Sequence, residues 1–118
     1  MLGRKPSPQS GIHLDPNSAF EMIHENKDNP NFILLDVRTP AEYDESHIEG
    51  SILINYQSSD FNDKVQELDK TKTYLVYCRS GMRSAASVDI MMKTGFENVY
   101  NIVGGIMGWE NCGLPVNK

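Results

Sequence analysis

Four short runs of aliphatic, aromatic and β-branched residues punctuate the chain: Phe32-Ile33-Leu34-Leu35, Ser51 to Asn55, Tyr74-Leu75-Val76-Tyr77 and Val99 to Ile102. The first shows no polar alternation, the pattern of a strand covered on both faces. Between the runs, apolar residues recur at helical spacing. Asp15-Pro16 offers an N-cap with proline at the first helical position, and Ala19, Phe20 and Ile23 form one face of the helix it opens, which Asn26 to Asn31 breaks. Thr39-Pro40-Ala41-Glu42 reads as a capping box opening a short helix. Ser58 or Ser59 is the expected cap of a helix carrying Phe61, Val65 and Leu68 on one side. Ala85, Val88, Met91, Met92 and Phe96 mark a longer helix that stops at Gly95, and Gly105 to Glu110 predicts a last short turn of helix. Strands alternating with helices give an α/β fold, with a mostly parallel sheet of four to five strands and helices on both faces.

Length and charge narrow the picture. A chain of 118 residues holds one core, since two of half that size would each be marginal. Met1 to Gly11 carries two prolines, two serines and two basic residues without apolar rhythm, so a flexible tail is expected over 1–11 and a single domain over 12–118. No apolar run approaches a membrane span, and no secretory signal pattern is visible. The net charge of -5 argues against nucleic acid or an anionic membrane as partner. Two cysteines, Cys78 and Cys112, make neither a disulfide framework nor a CxxC or metal-binding set, so the expectation is a cytoplasmic protein without bound metal.

The candidate chemistry lies in Cys78-Arg79-Ser80-Gly81-Met82-Arg83-Ser84, between the Tyr74 to Tyr77 strand and the longer helix. A strand, a tight loop and a helix start meet at one sulfur, and that geometry turns loop amides and the positive end of a helix toward an anion. A free thiol titrates near ~8.5 and falls to roughly 7 or below in such surroundings, which makes Cys78 a candidate nucleophile. Gly81 reads as a backbone requirement for positive φ. Of the two arginines, Arg83 closes the loop at the helix start and is the stronger candidate to orient an anionic ligand, while Arg79 reads first as solvated surface. Ser80 and Ser84 either donate hydrogen bonds to a ligand on sulfur or cap the helix.

Cys78 and Arg83 are separated by four residues, whereas protein tyrosine phosphatases separate the equivalent pair by five to wrap a phosphate. The shorter loop closely resembles that of the rhodanese family of sulfurtransferases. Leu35-Asp36-Val37-Arg38-Thr39-Pro40-Ala41-Glu42-Tyr43, His47-Ile48-Glu49-Gly50-Ser51-Ile52, Gly95-Phe96-Glu97-Asn98-Val99-Tyr100-Asn101 and Gly104-Gly105-Ile106-Met107-Gly108-Trp109 resemble its other hallmarks, in the family's order, from about Ile12 to Val116.

That resemblance implies a rhodanese fold with Cys78 and the Asp36-Val37-Arg38 segment on the same side of the sheet. It implies a nucleophilic Cys78 that takes a sulfane sulfur from a small anionic donor, thiosulfate or a persulfide, and passes it to a thiol, cyanide or a sulfur-acceptor protein. The covalent persulfide stands in place of any cofactor, and residues 79–84 form the cradle for the donor. Asp36 and Arg38 look structural, a charge pair bracing the site. His47 and Trp109 read as structural and core residues, and Cys112 as inert. The alternatives are a persulfide carrier, a rhodanese-like regulatory or interaction module, and, disfavoured by loop length, a phosphatase or arsenate reductase.

Overall fold

A computed structural model describes residues 12–118; the expected tail over 1–11 lies outside the described residues. Ten elements follow in order: β1 (Ile12–Leu14), α1 (Pro16–Glu25), β2 (Phe32–Asp36), α2 (Pro40–Glu45), β3 (Ile52–Leu53), α3 (Phe61–Gln66), β4 (Thr73–Tyr77), α4 (Met82–Lys93), β5 (Asn98–Ile102) and α5 (Gly105–Asn111). The five strands form one sheet in the order β1-β5-β4-β2-β3, and every pairing is parallel.

The central strands explain their unbroken apolar sequence. Tyr74 and Val76 of β4 enter a core layer with Val65 of α3 and Val88 and Met91 of α4, while the intervening Leu75 and Tyr77 enter the opposite layer with Ala19 of α1 and Ile106 and Trp109 of α5. Both faces are covered, so both sets of side chains are apolar. Full burial of each large aliphatic side chain contributes about 1.5–3 kcal/mol.

Local caps set the entry angles of the helices. Asp15 Oδ1 accepts from Ser18 N at 3.1 Å before Pro16 opens α1, and the Thr39–Glu42 capping box of α2 is complete. The expected serine cap of α3 is replaced by Asp60, whose side chain caps no backbone amide. Instead the Ser58 hydroxyl donates to the Asp60 carboxylate and its carbonyl accepts from Phe61 N, so Ser58 shapes the turn before the helix rather than capping it. Gly95, at φ +100°, follows the C-cap Thr94 and ends α4, as the sequence pattern implied.

β1 is the element that hydrophobic patterning did not show. It is three residues long, carries an exposed histidine at its centre, and pairs only with β5 at the edge of the sheet. β3 is shorter than the Ser51 to Asn55 run, because after Leu53 the chain leaves the ladder and hydrogen-bonds to the backbone of Asp36, the last residue of β2, and of Val37 just past it.

Candidate active site

β4 ends at Tyr77, and Cys78 begins the turn into α4. Cys78 is buried at 1% exposure. Two donors meet its sulfur: Gly81 N at 3.1 Å and the Ser84 hydroxyl at 3.4 Å. Burial pushes the thiol up, but the Ser84 hydroxyl and the backbone N–H groups of Ser84, Gly81 and Ser80 more than offset it and hold Cys78 below an ordinary thiol.

The turn depends on glycine. Gly81 has φ +106°, the left-handed region that L side chains rarely adopt, and this conformation aims its amide back at the sulfur. The start of α5 then braces the loop from the other side. Ile106 N donates to Cys78 O at 2.9 Å and Met107 N to Arg79 O at 3.1 Å. A Cβ on Gly105 would fall on Cys78 O and on the Arg79 carbonyl, so only glycine lets the two segments approach this closely.

The residues singled out from sequence divide into two sets. Gly81 and Ser84 touch the sulfur, and the Ser80 amide helps hold its charge. Ser84 is fully buried in the first turn of α4 and faces Cys78, with Gly81 rather than a serine at the N-cap. Arg79, Ser80 and Met82 turn their side chains outward, Met82 to 79% exposure. Arg83 turns to α2, where its two terminal nitrogens each donate to an oxygen of Glu42 at 2.9 Å.

Asp36 and Arg38 form the expected buried pair next door. Arg38 Nη2 lies 2.7 Å from Asp36 Oδ2, the residues are 0% and 3% exposed respectively, and the same nitrogen donates to Ser46 O at 2.7 Å. The guanidinium also stacks 5.5 Å over the Tyr77 ring. Val37 N, between the pair, donates to Tyr77 O at 3.0 Å, which ties this segment to the end of the cysteine-bearing strand. The pair lies beside the cysteine-bearing strand and makes no hydrogen bond to the sulfur.

Three further residues have structural places. His47 Nδ1 lies 2.9 Å from Tyr43 O and its ring stacks on Tyr43 at 3.9 Å between centroids. Trp109 is 1% exposed and donates to Pro115 O at 2.8 Å. Cys112 is exposed just beyond α5.

Glu42 is the site residue that sequence reasoning missed in this role. Its capping box was legible, since Thr39 and Glu42 are three residues apart, but its second function spans 41 residues and joins two helices. A cavity of about 450 Å³, walled by Phe20, Ile23, Phe32 and Trp109 among others, includes neither Cys78 nor any residue of its loop, so the chemistry rather than this hollow locates the site. Among the described residues no cluster of histidine, cysteine, aspartate and glutamate is fit to hold a metal ion, and no helix is long and apolar enough to cross a membrane.

The arrangement is a cysteine cradled by N–H and O–H donors at the carboxyl end of a parallel strand, and the rhodanese-like domain model matches residues 19–112. The chain belongs to the rhodanese-like family. It is 33% identical to a sulfurtransferase from Allochromatium vinosum, over 87% of this chain and 92% of that protein. A thiosulfate sulfurtransferase from Actinobacillus pleuropneumoniae is 29% identical over 87% of this chain and 90% of its own length. Some relatives are much longer, and the chain spans only 32% of a tRNA uridine(34) hydroxylase from Cytophaga hutchinsonii that is 32% identical to it. Among solved structures, a rhodanese-related protein from Thermoplasma volcanium superposes with a TM-score of 0.74 at 31% identity, covering 90% of this chain and 97% of that one. The rhodanese fold expected from the Cys78 loop and its companion motifs is therefore the fold of this domain.

Proposed function

We propose that this rhodanese domain is a sulfurtransferase that works through a persulfide on Cys78. The observation that carries the reading is the convergence of the Gly81 amide and the Ser84 hydroxyl on Cys78 Sγ. In the first half-reaction the Cys78 thiolate attacks the outer sulfur of an anionic donor. With thiosulfate, the donor's S–S bond breaks, sulfite departs with its electron pair, and a new S–S bond forms on Cys78. In the second, cyanide or a thiolate attacks the outer sulfur and the electron pair of the Cys78 S–S bond returns to cysteine as thiolate. The same donors that hold the thiolate suit the charge of the persulfide, as an oxyanion hole suits oxygen.

The loop length and the relatives named as sulfurtransferases support this reading over a phosphatase. On this reading the donor is a small anionic sulfur compound and the acceptor a thiol, cyanide or a sulfur-acceptor protein, with no cofactor beyond the persulfide. Two free cysteines suit a reducing compartment, and the cytoplasm is the proposed location. Steady-state kinetics test the function. Thiosulfate and cyanide should give parallel double-reciprocal lines, the mark of a substituted-enzyme intermediate, and Cys78→Ser should abolish thiocyanate formation; intersecting lines or an active serine variant would contradict it.

A further inference from the structure

The loop carries two arginines, yet the structure leaves one of them already matched before any donor arrives. Arg83 is held in a bidentate ion pair by Glu42, both side chains about one-fifth exposed. Arg38 is likewise matched by Asp36. Around the Cys78 cradle the described residues therefore contribute two neutral pairs and one unmatched cation, the exposed Arg79, which makes no ion pair among them.

We infer that Glu42 sets the charge of donor that the cradle accepts, cancelling Arg83 so that the site favours monoanionic sulfane-sulfur donors over the thiosulfate dianion. The inference rests on the sulfurtransferase reading and narrows its donor class. Arg83 directly precedes Ser84 in the first turn of α4, and the Ser84 hydroxyl lies 3.4 Å from Cys78 Sγ, so a change in the net charge of Arg83 is felt where the donor binds. Glu42 is the residue that decides that net charge. It is a positioning residue and not a catalytic one, since it reaches the sulfur only through Arg83.

The two donor classes can be compared with the same bond chemistry. A methanethiosulfonate anion gives its outer sulfur to Cys78 and releases a sulfinate, as thiosulfate releases sulfite, but it carries one negative charge less. The quantity to measure is kcat/KM for thiosulfate divided by that for methanethiosulfonate, at low and high salt. Glu42→Gln keeps the α2 capping box, because glutamine serves at that position as well as glutamate. It also frees the Arg83 charge.

The ratio should rise about tenfold in Glu42→Gln at low salt, the effect of one unit charge across several ångström near a protein surface. The rise should shrink at high salt. Arg83→Gln leaves Glu42 unmatched, so the ratio should fall, and the double variant should return close to the native value. A native chain that transfers sulfur from both donors, with the same ratio in all three variants, would overturn the role of Glu42 and leave the sulfurtransferase reading standing. A native chain that takes sulfur from neither donor would overturn both.

Discussion

The Ser84 hydroxyl stands 3.4 Å from Cys78 Sγ and 3.2 Å from Gly81 O, so its one proton has two acceptors. An ionised acceptor makes the stronger bond, and the proton turns to the sulfur once Cys78 is a thiolate. The switch costs Gly81 O little, because that carbonyl also accepts from Ala85 N at 3.0 Å within α4.

Removing the hydroxyl tests this directly. Ser84→Ala should shift alkylation of Cys78 by iodoacetamide to higher pH, measured in a Cys112→Ser background because Cys112 is the exposed thiol. Loss of a hydrogen bond to a charged group costs about 1.5–3 kcal/mol, so sulfur transfer at neutral pH should fall roughly 10- to 100-fold. An unchanged alkylation profile would remove Ser84 from the site.

The ion pair between Glu42 and Arg83 predicts an acid-sensitive contribution to stability. The hydrogen bonds from Arg83, and then those at Thr39, hold the Glu42 carboxyl down to about 2 from an ordinary 4.5. A carboxyl depressed in the folded state stabilises fully above the unfolded value and loses that contribution as protons are forced on. Stability of the native chain should therefore decline between about pH 4.5 and 2 more steeply than that of Glu42→Gln. Parallel urea midpoints for the two across that window would contradict the assignment.

Gly105→Ala probes the brace beneath the loop. Its Cβ would meet the Cys78 and Arg79 carbonyls, and its φ of +61° adds strain. Crowding and a left-handed non-glycine residue each cost about 1–3 kcal/mol, so the variant should lose several degrees of Tm and most of its sulfur transfer. Gly113→Ala, at φ +78° but with open space around it, should lose far less.

The buried pair should behave asymmetrically on mutation. Asp36→Ala strands the Arg38 guanidinium at 3% exposure, and breaking a buried pair from one side costs about 3–5 kcal/mol. Replacing both partners together with apolar residues should cost less than Asp36→Ala alone in thermal unfolding. A double variant less stable than that single change would show that the pair contributes more than mutual neutralisation.

Much of this was legible in the chain, and the rest was hidden for physical reasons. The two-faced apolar strands, the Thr39–Glu42 box, the Gly81 turn and the Asp36–Arg38 pair are local features or resemble a family's pattern, and the structure places all four as expected. β1 was hidden because a three-residue edge strand has no periodicity of its own. The Arg83–Glu42 pair was hidden because nothing in either neighbourhood encodes a contact across 41 residues. The same blindness affected the charge of the loop. The sequence credited the loop's affinity for anions to its amides, the helix start and the arginines together; the amides and the Ser84 hydroxyl do meet the sulfur, whereas Arg83 is paired with Glu42.

Intact mass spectrometry before and after exposure to thiosulfate or a low-molecular-weight persulfide reaches the central claim most directly. The native chain should gain the mass of one sulfur atom, lose it on addition of cyanide, and map that mass to the peptide bearing Cys78; Cys112→Ser should behave the same way and Cys78→Ser should gain nothing. Stable sulfur uptake by Cys78→Ser, or a native chain that hydrolyses an aryl phosphate through Cys78 faster than it accepts sulfur, would contradict the account.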